Sequence, residues 1–397
     1  MQLDCTDYSD DKKCPKKLQI IKEKSNSNSL NVIMTGCWGV YCWDGEQTLL
    51  KYNPPPDTKD ENHPFFIEDK GKIYGSKRVV NGMIKYTNIV DTACVFLAGD
   101  NVYGYNIPKD KLVELVNKGT PPDKKMYKLD NSISSQEIDI QLQTGFLDCF
   151  NNVKVEDFYV AVGNHDVATC YDLNRQLEFA TNPNNKYRLP GVYYNVVYKM
   201  KDYNVNFIVI DTNIFEEEPV SCSGKKYDKQ VATKLINTQV EWVLDTLKKE
   251  KCTWNIIIGH IPYKSNPHKQ KKDKPNFILN TNLDYLFTKI KEQNSSFPKV
   301  QAYFCADEHN QQFLYDKSNN MSLIVAGSGG TVLDKKIIKG KYWDGGDEVS
   351  TLFYSNNFGF VSFSFGSTLK IKYFECISLE KTKSIFEKIV DINGNLK

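Results

Sequence analysis

Three of the five histidines in this 397-residue chain fall at the ends of short apolar runs, beside an acid or an amide. "FYVAVGN" (158–164) leads into Asn164, His165 and Asp166; "WNIIIGH" (254–260) ends on His260; "VQAYFCA" (300–306) stops at Asp307, Glu308 and His309. A fourth run, "ACVFLAG" (93–99), is followed by Asp100 and, three residues on, Tyr103. Any one of these ends is ordinary turn composition, because Gly, Asn and Asp tolerate turn backbone angles. Taken together, imidazole, carboxylate, amide and phenolate are donors for hard or borderline cations. Two such cations about 3.5–4 Å apart can clamp the attacking and leaving oxygens of an in-line phosphoryl displacement. The alternatives are thus a metal pocket and a set of unrelated solvated turns.

The apolar runs are the elements that would position these groups. With "NVIMTG" (31–36), "NFIVID" (206–211) and "SLIVAGSGG" (322–330) they are continuously apolar, as in strands buried on both faces. Between them, 77–90, 228–251 and 282–293 carry apolar residues at three- and four-residue spacing and are predicted helices. Strands alternating with helices predict a covered, mixed α/β sheet, whose ligands gather beyond the carboxyl ends of the strands. Residues 357–377 read as an antiparallel hairpin turning at Gly366-Ser367, and "LEKTKSIFEKIV" (379–390) as a closing helix. Residues 1–30 read as a poorly ordered lead-in and 31–397 as one domain of two packed sheets.

Bulk properties exclude some function classes. A formal charge of +2 points to neither nucleic acid nor a membrane surface, and "HKQKKDK" (268–274) reads as a local, solvated loop. No apolar run approaches the roughly 18–20 residues needed to cross a bilayer. The acidic N-terminus is not a signal peptide. Eleven cysteines are scattered without CxxC pairing. They fit either several disulfides in a secreted chain or buried thiols in a cytosolic one. Two N-x-S sequons, at Asn294 and Asn320, lie in polar stretches. The expectation is a secretory, extracellular or vacuolar location with the leader absent from the chain; the alternative is cytosolic.

The ordered set "GDNVY", "GNHD", "GHIP" and "HN" resembles the purple acid phosphatases, above all their small tartrate-resistant branch, within the calcineurin-like metallophosphoesterases. The resemblance runs from about residue 31 to 377, with supporting matches at "VIDT" (209–212), "TQVEWVLDTL" and "VAGSGG". It implies a four-layer α/β/β/α sandwich and two metal ions, iron with a second divalent metal (Fe, Zn or Mn). The iron site would draw on position 37, Asp100, Tyr103 and His309. The second would draw on Asp100 as bridge, Asn164, His260 and position 307. His165 would assist the leaving oxygen, and the substrate would be a phosphomonoester.

Two positions depart from that pattern. Cys37 stands where an iron-binding aspartate is expected, and Asp307 where a histidine is expected. Thiolate and carboxylate can both bind metal, but Asp307 adds negative charge, and a disulfide, for instance with Cys42, would remove Cys37 from coordination. Val167 replaces a second histidine often found after "GNHD". The long segment 44–77 would emerge beside the pocket as a lid, a partner-binding surface or a passive loop. The implied function is a phosphomonoesterase with a modified dinuclear site; the alternative is a pseudophosphatase acting as a binding or scaffold protein. A nucleotidase or phosphodiesterase of the same superfamily is a third reading, against which Tyr103 counts.

Overall fold

A computed structural model describes residues 19–39, 75–102, 138, 141–167, 170–219, 226–266, 278–330, 333 and 348–397. Tyr103, Cys42, the basic cluster 268–274 and the segment 44–74 lie outside the described residues.

Among the described residues, two large sheets form the framework. The first has seven strands: β2 (Leu30–Thr35), β3 (Cys94–Ala98), β4 (Asp157–Ala161), β5 (Tyr187–Arg188), β15 (Gly359–Phe365), β16 (Leu369–Cys376) and β17 (Thr382–Val390). Their order is β17-β16-β15-β2-β3-β4-β5, parallel from β2 to β5 and antiparallel beyond β2. The second has eight: β1 (Gln19–Lys24), β6 (Tyr194–Met200), β7 (Asn204–Val209), β8 (Trp254–Ile258), β11 (Ala302–Cys305), β12 (Gln311–Asp316), β13 (Met321–Ala326) and β14 (Val349–Ser355). Its order is β1-β6-β7-β8-β11-β13-β12-β14, with β7, β8, β11 and β13 mutually parallel. A short antiparallel pair, β9 (Lys264–Ser265) and β10 (Ile278–Leu279), stands apart.

Continuous apolarity has the expected cause. Along β7 and β8, Phe207, Val209, Ile256 and Ile258 point into the core shared with the other sheet. Ile208 and Ile257, one residue out of phase, lie in a second core under the helices. Between the sheets, Phe96 of β3 meets Phe207 of β7 at 4.6 Å, and Phe363 of β15 meets Phe304 of β11 at 6.1 Å.

Helix α1 (Gly75–Thr87) covers the seven-stranded sheet through Tyr86 on Phe360 and Phe374, and α2 (Cys170–Ala180) through Phe179 on Tyr187. Helices α3 (Lys229–Glu250) and α4 (Thr281–Lys291) bury Val240, Val243, Leu283 and Leu286 on the other side. The layers are α/β/β/α. Asp228 caps α3 and Asn280 caps α4, each accepting a backbone N–H of the first turn.

Two expectations need correction. Residues 19–24, assigned to the lead-in, form β1 beside β6: Ile20 packs on the core and Lys22 pairs with Asp157 at 2.6 Å. The closing helix is instead strand β17. Its helix-like spacing arises because the register shifts between Tyr373 and Phe374, so that Ile385 is an extra residue between two alternating stretches. Phe386 then stacks on Phe353 at 4.6 Å. That contact exists only between the two sheets.

Candidate metal centre

The parallel strands of both sheets end on one side, and their loops meet there. Cys37 follows β2, Asp100 follows β3, Asn164 and His165 follow β4, His260 follows β8 and Asp307 and His309 follow β11. Of five described non-glycine residues with positive φ, three are Cys37 (53°), Asp100 (53°) and Asp307 (59°). Such backbone is costly, and it persists where the surroundings over-determine it and a side chain must be aimed. Cys37 is held by its N–H donating to Gly99 O at 3.0 Å, and Gly39 N donates to Asp100 O at 3.0 Å.

Two glycines permit the approach. Gly99 has φ 84°, and a Cβ there would fall 2.6 Å from His260 Nδ1. A Cβ on Gly163 would fall 2.4 Å from Asp100 Oδ1. Both positions require the absence of a side chain.

His260 is the centre of the geometry. Its Nδ1 lies 2.8 Å from Ala98 O, which accepts the ring N–H and leaves Nε2 facing the pocket. Nε2 lies 3.0 Å from Asn164 Oδ1, 3.2 Å from Asp100 Oδ1 and 3.5 Å from Asp307 Oδ1. Cys37 Sγ joins: the ligand atoms of Cys37, Asp100 and His260 all lie within 4.8 Å of one another. Cys37 is a thiol outside any disulfide, so the disulfide alternative does not hold in this structure. Asp307, 37 % exposed, opens the pocket to solvent, whereas His260 is fully buried.

His165 sits beside the same carboxylate. Its N–H donates to Asp100 Oδ1 at 3.2 Å, and its Nε2 lies 4.0 Å from Oδ2. Burial would raise the Asp100 carboxyl, but the charges of His260 and His165, the His260 hydrogen bond and the charge of His309 hold it well below the usual range. Burial would depress His260, but Asp100 and then Asp307 drive it well above the ordinary imidazole value. A buried nitrogen drawing in two carboxylates and an amide oxygen has the donor chemistry of a cation site.

A hydrogen-bonded chain runs behind the pocket, and of its members Asp166 carried a functional signal in the sequence. Trp38 Nε1 donates to Asn101 Oδ1 at 2.9 Å, and Asn101 donates through N and Nδ2 to Asp166, each at 2.8 Å. Asp166 also accepts from Gly163 N, Val102 N and Gln176 Nε2. It therefore ties the β2, β3 and β4 loops together rather than facing the pocket. Burial, then the charge of Asp100, pushes it up to about 7 against those donors. Thr212 Oγ1 accepts from His260 N and Ile261 N and fixes the β8 loop. Glu216, just beyond, is raised by burial and by the charge of Asp307. Only "VIDT" hinted at this loop.

No family model matches the sequence. Tartrate-resistant acid phosphatase type 5 from Sus scrofa is 24% identical over 195 residues, 48% of this chain and 53% of its own length. The Homo sapiens protein is 23% identical over 195 residues, again 48% of this chain and 55% of its own. The chain thus matches about half the length of these curated relatives. Among solved structures, a purple acid phosphatase from yellow lupin (Lupinus luteus) superimposes with TM-score 0.51 at 14% identity, covering 93% of this chain and 55% of that one. The fold is that of a purple acid phosphatase-like metallophosphoesterase. GAP50, described as the anchor in the inner membrane complex of Plasmodium, gives TM-score 0.55 at 15% identity, covering 90% of this chain and 89% of that one.

Within this metallophosphoesterase fold, Cys37, Asp100, Asn164, His260 and Asp307 meet, with His165 against Asp100 and His309 within electrostatic reach of it. Both departures, Cys37 and Asp307, point into the cluster, and both take the strained backbone of the loops that present it.

Proposed function

We propose that the protein is a metal-dependent phosphoric monoester hydrolase of purple acid phosphatase type, with a dinuclear centre in which two ligands are replaced. The convergence of Cys37, Asp100 and His260 within 4.8 Å carries this reading, since these residues lie on three separate loops. The first ion would be held by Cys37, Asp100 and His309, with Tyr103 the fourth implied ligand. The second would be held by Asp100, Asn164, His260 and Asp307. Iron with a second divalent metal (Fe, Zn or Mn) is the implied pair, and the thiolate draws the first position toward zinc or ferrous iron. Bound there, the ions would supply Lewis-acid polarisation of the phosphoryl group and activation of the attacking water.

The chain's own groups do the rest. Asp100 is aimed by the His165 N–H, and the Ala98 carbonyl fixes the tautomer of His260. His165, partly open to solvent beside Asp100, is the proton donor to the leaving oxygen. Asp307 places a carboxylate where the resemblance implies a neutral imidazole, which lowers the electrophilicity of the second position.

A second reading, a pseudophosphatase acting as a binding or scaffold protein, is favoured by the same two replacements and by the anchor described among the structural neighbours. Metal analysis with a chromogenic phosphomonoester assay, on the wild type and on Cys37→Asp/Asp307→His, separates the two. Turnover by the metal-loaded wild type supports the hydrolase. Turnover appearing only in the double variant supports the scaffold, and a wild type that takes up no metal defeats the first reading. A secretory location is proposed with it, supported by the disulfide bond at Cys149; thiol alkylation of the natural protein before reduction checks that bond.

A further inference from the structure

The two sequons lie on the rim of one groove, at the opposite end of the eight-stranded sheet from the metal pocket. The groove has a volume of about 370 Å³ and runs between the C-terminal end of α4 and the β12–β13 turn, with Phe287, Ile290 and Phe297 on its apolar wall. Asn294 and Asn320 both line it. Their surroundings differ completely.

Asn320 is committed to the fold. It has φ 52°, its Nδ2 donates to Asn393 O at 2.6 Å and Asn395 Oδ1 at 3.0 Å, and Tyr315 Oη donates to its Oδ1. Its hydroxyl partner, Ser322, is fully buried in β13. A sugar on that nitrogen would displace the C-terminal segment. Asn294, by contrast, is exposed in the turn after α4, as are Ser295 and Ser296. Its Oδ1 accepts Ser296 N at 3.1 Å and Ser296 Oγ at 2.6 Å. This local turn ties the sequon hydroxyl to the amide carbonyl, and Nδ2 is left pointing away from that oxygen with both hydrogens available.

We propose that Asn294 is an N-glycan acceptor whose first sugar seats in this groove, and that Asn320 is not modified. In the transfer, Asn294 Nδ2 forms a bond to the anomeric carbon of a lipid-diphosphate-linked oligosaccharide. The bond from that carbon to the diphosphate oxygen breaks, the amide loses one proton, and the lipid diphosphate leaves. The groove volume lies in the range of small-ligand sites, and the partly buried Phe297 lines it three residues from Asn294. The inference shares the secretory context proposed above but does not depend on the metal centre, because the groove lies beyond the amino ends of β11 and β13.

The test is secretion of the full chain from a eukaryotic host, followed by peptide N-glycosidase release in heavy-oxygen water and peptide mass spectrometry. Heavy aspartate is expected at position 294 and unlabelled asparagine at 320. Ser296→Ala should abolish the modification, and Asn320→Gln should leave Asn294 occupancy unchanged. Secreted wild-type protein with Asn294 unmodified, or with Asn320 modified, overturns the proposal. Thermal melting of Ser296→Ala, which removes an exposed hydroxyl, confirms that loss of the glycan does not come from misfolding.

Discussion

A thiol at the end of β2 sets a soft donor within 4.8 Å of a carboxylate and an imidazole. That combination discriminates among metals, since thiolate favours zinc and ferrous iron over magnesium or manganese. Cobalt(II), a spectroscopic substitute for zinc, should therefore bind the wild type with a near-ultraviolet thiolate charge-transfer band. Cys37→Ser should lose that band and weaken binding by at least the roughly 10–100-fold typical of losing even an orienting partner; an unchanged spectrum would exclude Cys37 from coordination. His165 is separable from this. If it is the general acid, His165→Ala should lower kcat by about 10²–10⁴-fold, the usual contribution of such a group, while metal content measured by mass spectrometry stays constant.

Between elements, a buried ion pair joins β9 to β12. Lys264 Nζ lies 2.8 Å from Asp316 Oδ2, with both side chains buried. Asp316 also accepts from Ser318 N, Ser318 Oγ and Asn319 Nδ2. Burial would raise its carboxyl, but Lys264 and these donors outweigh it and lower the pKa. Because the folded value is depressed, this stabilisation is present above the unfolded value of about 3.9 and is lost as pH falls through the folded value. Lys264→Met leaves a buried carboxylate without its cation and should cost about 3–5 kcal/mol in urea denaturation at pH 7. Lys264→Met/Asp316→Leu should recover most of that and show a flatter acid limb below about pH 4 than the wild type. A double variant as unstable as the single one would mean that packing, not charge, dominates the site.

Over the whole molecule, the pocket exists because two sheets are clamped with their parallel strand ends on one side. Phe207 is central to that clamp, with Phe96 at 4.6 Å, Phe365 at 5.5 Å and Tyr198 at 6.1 Å. Phe207→Ala should cost about 3–5 kcal/mol of unfolding free energy. Well below its lowered melting temperature, measured by calorimetry, cobalt affinity should stay within a factor of a few of wild type, because Phe207 lies within β7 in the inter-sheet core and its ring neighbours Phe96, Phe365 and Tyr198 are strand residues. A large loss of affinity with little loss of stability would show instead that the inter-sheet core tunes the site directly.

The strand-end pattern of Asp100, Asn164, His165, His260 and His309 was legible in sequence because parallel strands must deliver their carboxyl ends to one side, whatever the loops between them do. Continuous apolar runs likewise announced strands covered on both faces. What sequence could not convey depends on contacts between residues far apart in the chain. β17 reads as a helix until a bulge and the Phe353–Phe386 stack place it on a sheet edge. Asp166 reads as a pocket carboxylate until five donors, from the β3 and β4 loops and from helix α2, claim it. The state of Cys37 was open between thiol and disulfide until its sulfur was found facing Asp100 and His260. Local patterning reports which face of an element is apolar; which distant groups satisfy its polar atoms is settled by packing alone.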